Sequence, residues 1–411
     1  MLDLSAAVSM VLAEAPVLAG ESVHVSRAFR RVAASDVHAP MDVPPWDNSA
    51  MDGFAVRAKE ACFQAVLPLA GESAAGHPLD GPLPEGHAAA IMTGAPVPDG
   101  ADAVVMIENT RPGAGTVAIE VAPEPGANIR RRGSDIRTGD VLVRAGQRIT
   151  PAIAGLLASV GLADVRVVRR PRLAVLATGD ELVEPGGTLG PGQIFSSNPV
   201  ALAGLVEDAG GECTVLGRAP DDLAGLVARM EEGLEHDALV TTGGVSVGAH
   251  DLVKDAFAEL GIAMSFWKVR MKPGKPLAFG IAERGARRVP VFGLPGNPVS
   301  CMVNFLEFVR PWMLASMGVP ERFLPVVDAI ALDDIPERPG RAKLLRVTLE
   351  KGPSGWGCRS TGSQSSGVLT SMARAHGLLY RSPEDGAVSA GDAVRVQLLD
   401  PTFLDGTELD L

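Results

Sequence analysis

The residues best suited to chemistry lie in two stretches of the second half of the chain. The first, Asp237 to Asp251, reads D-A-L-V-T-T-G-G-V-S-V-G-A-H-D. Ala238, Leu239 and Val240 form the short apolar run of a buried parallel strand. It stops at Gly243-Gly244, where the absence of Cβ atoms lets backbone come close to a ligand. Ser246 and Gly248 keep the loop small and leave its N–H groups free. A helix is expected to begin near Asp251 and to place Leu252, Val253, Ala256, Phe257 and Leu260 on one apolar face. Strand, loop and helix N-terminus together make an anion seat, because unpaired amides and the helix dipole face the ligand. The second stretch is F-W-K-V-R-M-K-P-G-K-P, from Phe266 to Pro276. On an extended strand Lys268, Arg270 and Lys272 share one face. Three cations side by side repel one another unless an anion sits between them, and Lys275 follows in a turn that can fold back to the same place.

Carboxylates complete the set. Glu181, Asp221 and Asp251 all fall where a strand or loop ends. With no Cys or His cluster nearby, they suit a hard cation such as Mg2+ bridging to phosphate oxygens. A phosphoanhydride held by amides and lysines is then primed for cleavage. The residues alone therefore indicate a phosphorylated ligand, Mg2+, and transfer or hydrolysis at phosphorus.

These groups need elements to position them. From Arg172 the pattern alternates regularly: strand 173–177, helix 199–209, strand 213–217, helix 222–234, strand 238–240, then the glycine loop. Such order predicts a doubly wound, mostly parallel sheet with ligands at the carboxyl ends of its strands. A later strand, 289–294, ends in Pro295-Gly296-Asn297-Pro298 at the same edge. Asn198, before Pro199, reads as a helix N-cap. Upstream, residues 4–18 have helical spacing, and Thr150-Pro151 caps a helix from about 151. Residues 67–143 are rich in Gly, Pro and short apolar runs, which suggests a β-rich insertion. A polar crowd at Pro44–Val56 precedes it, and within it lies a turn with a free hydroxyl at Thr93. Arg130-Arg131-Arg132, ahead of Asp135, reads as a solvated charge run. Beyond Pro320, strands at 326–332, 344–349, 377–380 and 393–399 indicate a small barrel or sandwich, and the loop 362–367 reads as flexible.

Bulk properties narrow the classes. A chain of 411 residues is too long for one core. Its net charge of -12 argues against nucleic acid as the main partner. The four cysteines form no C-x-x-C pair and read as reduced, mostly buried thiols. No basic leader and no apolar run of membrane-spanning length occur, so no membrane association is expected and the cytoplasm is the expected compartment.

The stretches D-N-S-A-M-D-G-F-A-V, I-M-T-G-A-P, N-I-R-R-R-G-S-D, A-T-G-D-E-L, T-T-G-G-V-S-V-G, F-W-K-V-R-M-K-P-G-K-P and G-L-P-G-N-P-V-S follow one another along the chain. In that order they resemble the molybdopterin molybdenumtransferase family, the MoeA type and the E domain of gephyrin. The resemblance covers essentially the whole chain. It implies four domains: a discontinuous α+β domain (1–40 and 140–170), an inserted β-rich domain (41–139), an α/β molybdopterin-binding domain (171–318) and a C-terminal β-barrel (319–411). It also implies a homodimer, with the active cleft between the α/β domain of one subunit and β-rich parts of its partner. The implied reaction binds adenylyl-molybdopterin and molybdate, uses Mg2+, releases AMP and leaves molybdenum cofactor.

On that resemblance Asp52, Thr93 and Asp135 match functional positions of the inserted domain. Glu181, Asp221 and Asp251 match carboxylates of the α/β cleft, with Asp251 and Glu181 as the Mg2+ ligands. Lys268 and Lys272 match a basic pair for molybdate and phosphate, with Lys275 close by. Arg346 and Ser366 match positions of the last domain. Phe54 stands where the family often has tyrosine. Two other expectations stand beside insertion: a molybdopterin adenylyltransferase, or a catalytically idle scaffold of the same fold. A molybdopterin adenylyltransferase and acceptor molybdoenzymes are the further partners implied.

Overall fold

The computed structural model describes residues 1–220, 222–244, 252–336, 340–352, 355–400 and 402. The chain divides into two compact units, Ser22–Val167 and a larger one formed by Met1–Glu21 with Val168–Leu411. Helix α1 (Leu4–Ala13) belongs to the larger unit. It stops well short of residue 18, because Pro16 disfavours helical backbone at the residue before it.

The smaller unit is built on a six-stranded sheet of β1 (Gly53–Val56), β2 (Val66–Ser73), β3 (Ala88–Ile91), β4 (Ala103–Met106), β5 (Thr110–Gly113) and β6 (Thr116–Ile119), in the order β4-β1-β3-β2-β6-β5. Phe54, Val56, Val105, Val117 and Ile119 fill its core. Helix α2 (Pro151–Ser159) opens as the sequence indicates: Thr150 Oγ1 accepts the Ile153 N–H at 3.2 Å and Pro151 takes the first turn. A 3-10 turn, Val25–Arg27, follows residue 24.

In the larger unit the alternating pattern becomes β7 (Arg172–Thr178), β8 (Leu182–Val183), β9 (Ile194–Phe195), α3 (Asn198–Asp208), β10 (Glu212–Ala219), α4 (Leu223–Gly233), β11 (Ala238–Thr242) and α5 (Leu252–Glu259). Strands β12 (Ala263–Lys268), β13 (Met271–Lys272), β14 (Pro276–Arg284) and β15 (Arg287–Leu294) follow, then α6 (Pro298–Asn304) and α7 (Arg310–Ser316). The main sheet runs β10-β7-β11-β15-β14-β12, with its first four strands parallel. Alternation along β7 divides its side chains between two cores. Leu173 and Val175 join residues of α1, α3 and α6 on one face, whereas Ala174 and Leu176 join α4 and α5 on the other. Both faces are covered, so near-continuous apolar strands are what the sheet requires.

Strands β16 (Val326–Ala331), β17 (Ala342–Gly352), β18 (Gly355–Ser360), β19 (Gly377–Arg381) and β20 (Ala393–Leu398) close into a five-stranded barrel, since β17 pairs with both β18 and β19. Helix α8 (Leu369–Ala373) lies before β19. Strand β18 has no counterpart in the sequence reading. Gly355 and Gly357 dilute its apolar content, and its pairing with β17 supplies what local propensity does not. Among the described residues no helix is long and apolar enough to cross a membrane.

Candidate functional site

A cleft of about 830 Å³ opens where β7, β11 and β15 end. The location follows from topology: parallel strands deliver their carboxyl ends, and the helix N-termini after them, to one edge. Thr178 ends β7 and Gly179 follows it, Gly243 and Gly244 follow β11, and Gly296 and Asn297 follow β15.

Gly243 is required as glycine on two counts. Its φ is +96°, and a Cβ would lie 2.6 Å from the Thr178 carbonyl oxygen. The two strand ends therefore meet backbone to backbone. Glu181 lines the same cleft, with its carboxylate folded over Gly179, where a Cβ would meet Oε2 at 2.5 Å. Asp180 beside it is turned to Arg218, at 2.9 Å.

The edges of the cleft are fastened at Thr242. Its Oγ1 accepts from Asn198 Nδ2 at 2.8 Å, and the same amide donates to the Gly296 carbonyl at 2.8 Å. Asn198 is therefore not the cap of α3; Ser197 precedes that helix, and the Asn198 side chain instead joins the ends of β11 and β15. Buried Cys301 also points its Sγ to Thr242 Oγ1, at 3.5 Å, and burial pushes its thiol up to about 12. It is an inert wall, not a nucleophile.

The loop 362–367 reaches the cleft through Gly367. It is held, not loose. The Val299 N–H donates to the Ser366 carbonyl at 3.2 Å, and Arg346 fixes the rest. That guanidinium is fully buried. It donates to Ser371 Oγ at 3.1 Å and to the carbonyls of Ser363 and Ser365 at 3.3 and 3.0 Å, while Gln364 closes both ways on the Arg346 backbone. Sealed in this way, Arg346 holds the loop in place.

The cation stretch departs from a single extended strand. Lys268 ends β12 in the main sheet, whereas Lys272 lies in β13, which pairs with β17 of the barrel. Between them the Met271 N–H turns back to the Val269 carbonyl, and Arg270 is engaged by Asp3 at 3.2 Å. A local alternation cannot register that a chain changes sheets. Lys275 is returned toward the start of the turn, since the Val269 N–H donates to its carbonyl at 3.1 Å. None of the three lysines lines the cleft, which Pro276 does. None has an ion-pair partner among the described residues.

In the smaller unit Asp52 and Thr93 are brought together, the Thr93 N–H donating to Asp52 Oδ1 at 2.7 Å, and both are exposed. Asp135 is also exposed. The arginines before it are not simply solvated: Arg131 pairs with Asp47 and Arg132 with Asp42, each at 2.6 Å. The Thr138 amide and hydroxyl, then Arg132, hold the Asp42 carboxyl down to about 2. Asp221, Ser246, Gly248 and Asp251 lie outside the described residues. No group of three Cys, His, Asp or Glu side chains arranged to hold a metal occurs among the described residues.

Asn198, Thr242 and Asn297 were not selected as site residues from sequence. Asn297 falls in the P-G-N-P turn and Thr242 in the T-T-G-G stretch, whereas Asn198 reads as a cap.

Three family descriptions match consecutive parts of the chain: "MoeA N-terminal region (domain I and II)" over residues 2–161, "Probable molybdopterin binding domain" over 174–315 and "MoeA C-terminal region (domain IV)" over 328–399. A molybdopterin molybdenumtransferase of Haemophilus influenzae is 37% identical over 97% of this chain and 98% of its own length. Molybdopterin molybdenumtransferase 2 of Mycobacterium tuberculosis is 38% identical over 91% of the chain and 94% of its own. The crystal structure titled molybdopterin biosynthesis moea protein from Pyrococcus horikosii superposes with a TM-score of 0.85 at 32% identity, covering 97% of this chain and 99% of that one. With agreement from end to end in sequence and in fold, the chain belongs to the molybdopterin molybdenumtransferase family.

Proposed function

We propose that this protein inserts molybdate into adenylylated molybdopterin, cleaving the phosphoanhydride, releasing AMP and leaving the metal on the dithiolene. The observation that carries the reading is full-length kinship with relatives named for this transfer, joined to a glycine-lined cleft at the ends of parallel strands. The Gly243 N–H is committed to the Leu294 carbonyl at 3.1 Å, and the closeness of Gly243 and Gly244 to Thr178 fixes this glycine backbone beside the cleft before substrate arrives. Lys268, Lys272 and Lys275, without an ion-pair partner among the described residues, attract the molybdate dianion and the phosphates by charge.

Mg2+ fits the donor set. It takes one or two carboxylates, with phosphate oxygens and water completing an octahedron, and Glu181 supplies such a carboxylate inside the cleft. Asp221 and Asp251 are the further carboxylates of this reading. When bound, Mg2+ neutralises charge that develops on the phosphate oxygens during cleavage. Asp52 and Thr93, joined by their hydrogen bond, act in the same reaction, as do Asp135 and Ser366. A four-domain division (1–40 with 140–170, 41–139, 171–318 and 319–411), a homodimer and a cytoplasmic setting complete the proposal.

The test supplies purified protein with adenylyl-molybdopterin, molybdate and Mg2+. AMP release that requires both molybdate and Mg2+ is the expected result. Release independent of both overturns the proposal, and adenylylation of molybdopterin by ATP would assign the preceding step instead.

A further inference from the structure

One wall of the cleft is apolar without any packing reason. Strand β9 is only two residues long, Ile194 and Phe195, and both side chains stand 55% and 46% exposed while lining the cleft. Most phenylalanines of this unit are consumed by the core, Phe257, Phe279, Phe292, Phe305 and Phe308 among them, although Phe323 is also exposed. The strand is nevertheless firmly placed. It pairs in parallel with β8, the Ile194 N–H donates to the Glu181 carbonyl at 2.8 Å, and the Ser196 N–H donates to the Val183 carbonyl at 2.8 Å. A fixed backbone that presents an exposed aromatic ring costs solvation unless something flat covers it.

The next residue supplies a second, independent sign. Ser196 is 2% exposed and lines the same cleft, yet its Oγ has no hydrogen-bond partner among the described residues. An orphaned buried hydroxyl favours whatever group satisfies it. Apolar ring and unsatisfied hydroxyl on consecutive residues match a ligand whose face is apolar and whose rim carries nitrogen donors and acceptors.

We infer that Ile194, Phe195 and Ser196 form a platform for a flat, fused nitrogen heterocycle, with Phe195 stacking on its face and the Ser196 hydroxyl reaching its rim. This deepens the proposed function and rests on it, because that substrate carries two such rings, adenine and pterin. The Glu181 carbonyl that fixes β9 belongs to the residue whose carboxylate faces the phosphates. The platform therefore places a ring within one nucleotide's reach of the anion seat.

Calorimetry on the full chain with AMP, with pterin and with ribose 5-phosphate tests this. Phe195→Ala should weaken the binding of one ring compound about tenfold, the usual loss for an aromatic–base stack, and leave ribose 5-phosphate unchanged. Phe195→Trp should retain the affinity and show fluorescence quenching with the same compound. Weakened AMP assigns adenine to the platform, and weakened pterin assigns the pterin. If both compounds bind the Phe195→Ala protein as they bind the unaltered one, the platform is overturned while the cleft's role stands. If the unaltered protein binds none of the three, platform and proposed function fall together.

Discussion

Arg346→Leu separates a residue that touches substrate from one that holds the structure around it. The guanidinium makes three hydrogen bonds, to Ser371 Oγ, Ser363 O and Ser365 O. Bonds to a charged group contribute about 1.5–3 kcal/mol each. Against this, burial already lowers the Arg346 pKa, and no carboxylate pairs with it among the described residues. Removing an uncompensated buried charge returns several kcal/mol. The difference leaves a destabilisation of about 3 kcal/mol, borne by loop 362–367 and the start of α8. Amides from Thr361 to Ser371 should then exchange with solvent roughly a hundredfold faster, because each 1.36 kcal/mol is a factor of ten. Hydrogen exchange read by mass spectrometry reports this directly. Arg346→Lys keeps the charge but lacks the planar fork, so it should recover little of the protection. A variant with unaltered exchange and lost ligand affinity would refute the reasoning and return Arg346 to the substrate.

Other perturbations follow from single geometries. Burial raises the Glu307 carboxyl to about 7, against the lowering pull of Gln397 and Arg310. Its folded value lies above the ordinary 4.5, so the neutral form favours folding. That contribution is complete below about pH 4.5 and is lost as pH rises through about 7. Urea unfolding at pH 5 and pH 8 should show Glu307→Gln sparing the chain a decline of about 3 kcal/mol; parallel declines would refute it. Arg30 sits at φ +63° beside Arg148, whose own pKa is lowered first by burial and then by Arg30. Arg30→Gly should stabilise the smaller unit by about 1 kcal/mol, strain relief exceeding the entropy cost of glycine, and thermal unfolding checks the sign. Asn198→Ala removes both bonds across the cleft edge and should cost about 2 kcal/mol, with AMP affinity falling in the same titration.

The sheet was legible because its information is local. Period-two burial, turn glycines and helix faces recur within a dozen residues, and both cores of the parallel sheet follow from them. What escaped is pairing at a distance. Asn198 looks like a cap when only Pro199 is considered, but its partners Thr242 and Gly296 lie 44 and 98 residues away. The loop 362–367 looks loose because Ser and Gly carry no packing signal, whereas its anchor, Arg346, is on another strand. Likewise Lys268 and Lys272 alternate correctly for one strand, yet they pair with different sheets.

The lysines also sharpen the electrostatic argument. Acidic residues outnumber basic ones, 49 Asp and Glu against 37 Lys and Arg. In such a chain a cation is surrounded by opportunities for pairing, and the arginines take them: Arg131, Arg132, Arg169, Arg218 and Arg270 all meet carboxylates. Lys268, Lys272 and Lys275 do not, among the described residues, although they lie within eight positions of one another and the Val269–Lys275 bond folds that segment on itself. Even Arg270, in their midst, is drawn off by Asp3. Splitting the stretch between two sheets therefore leaves the charge logic intact. Lys268 and Lys272 sit in different sheets, and the carboxylate in their midst, Asp3, is taken by Arg270.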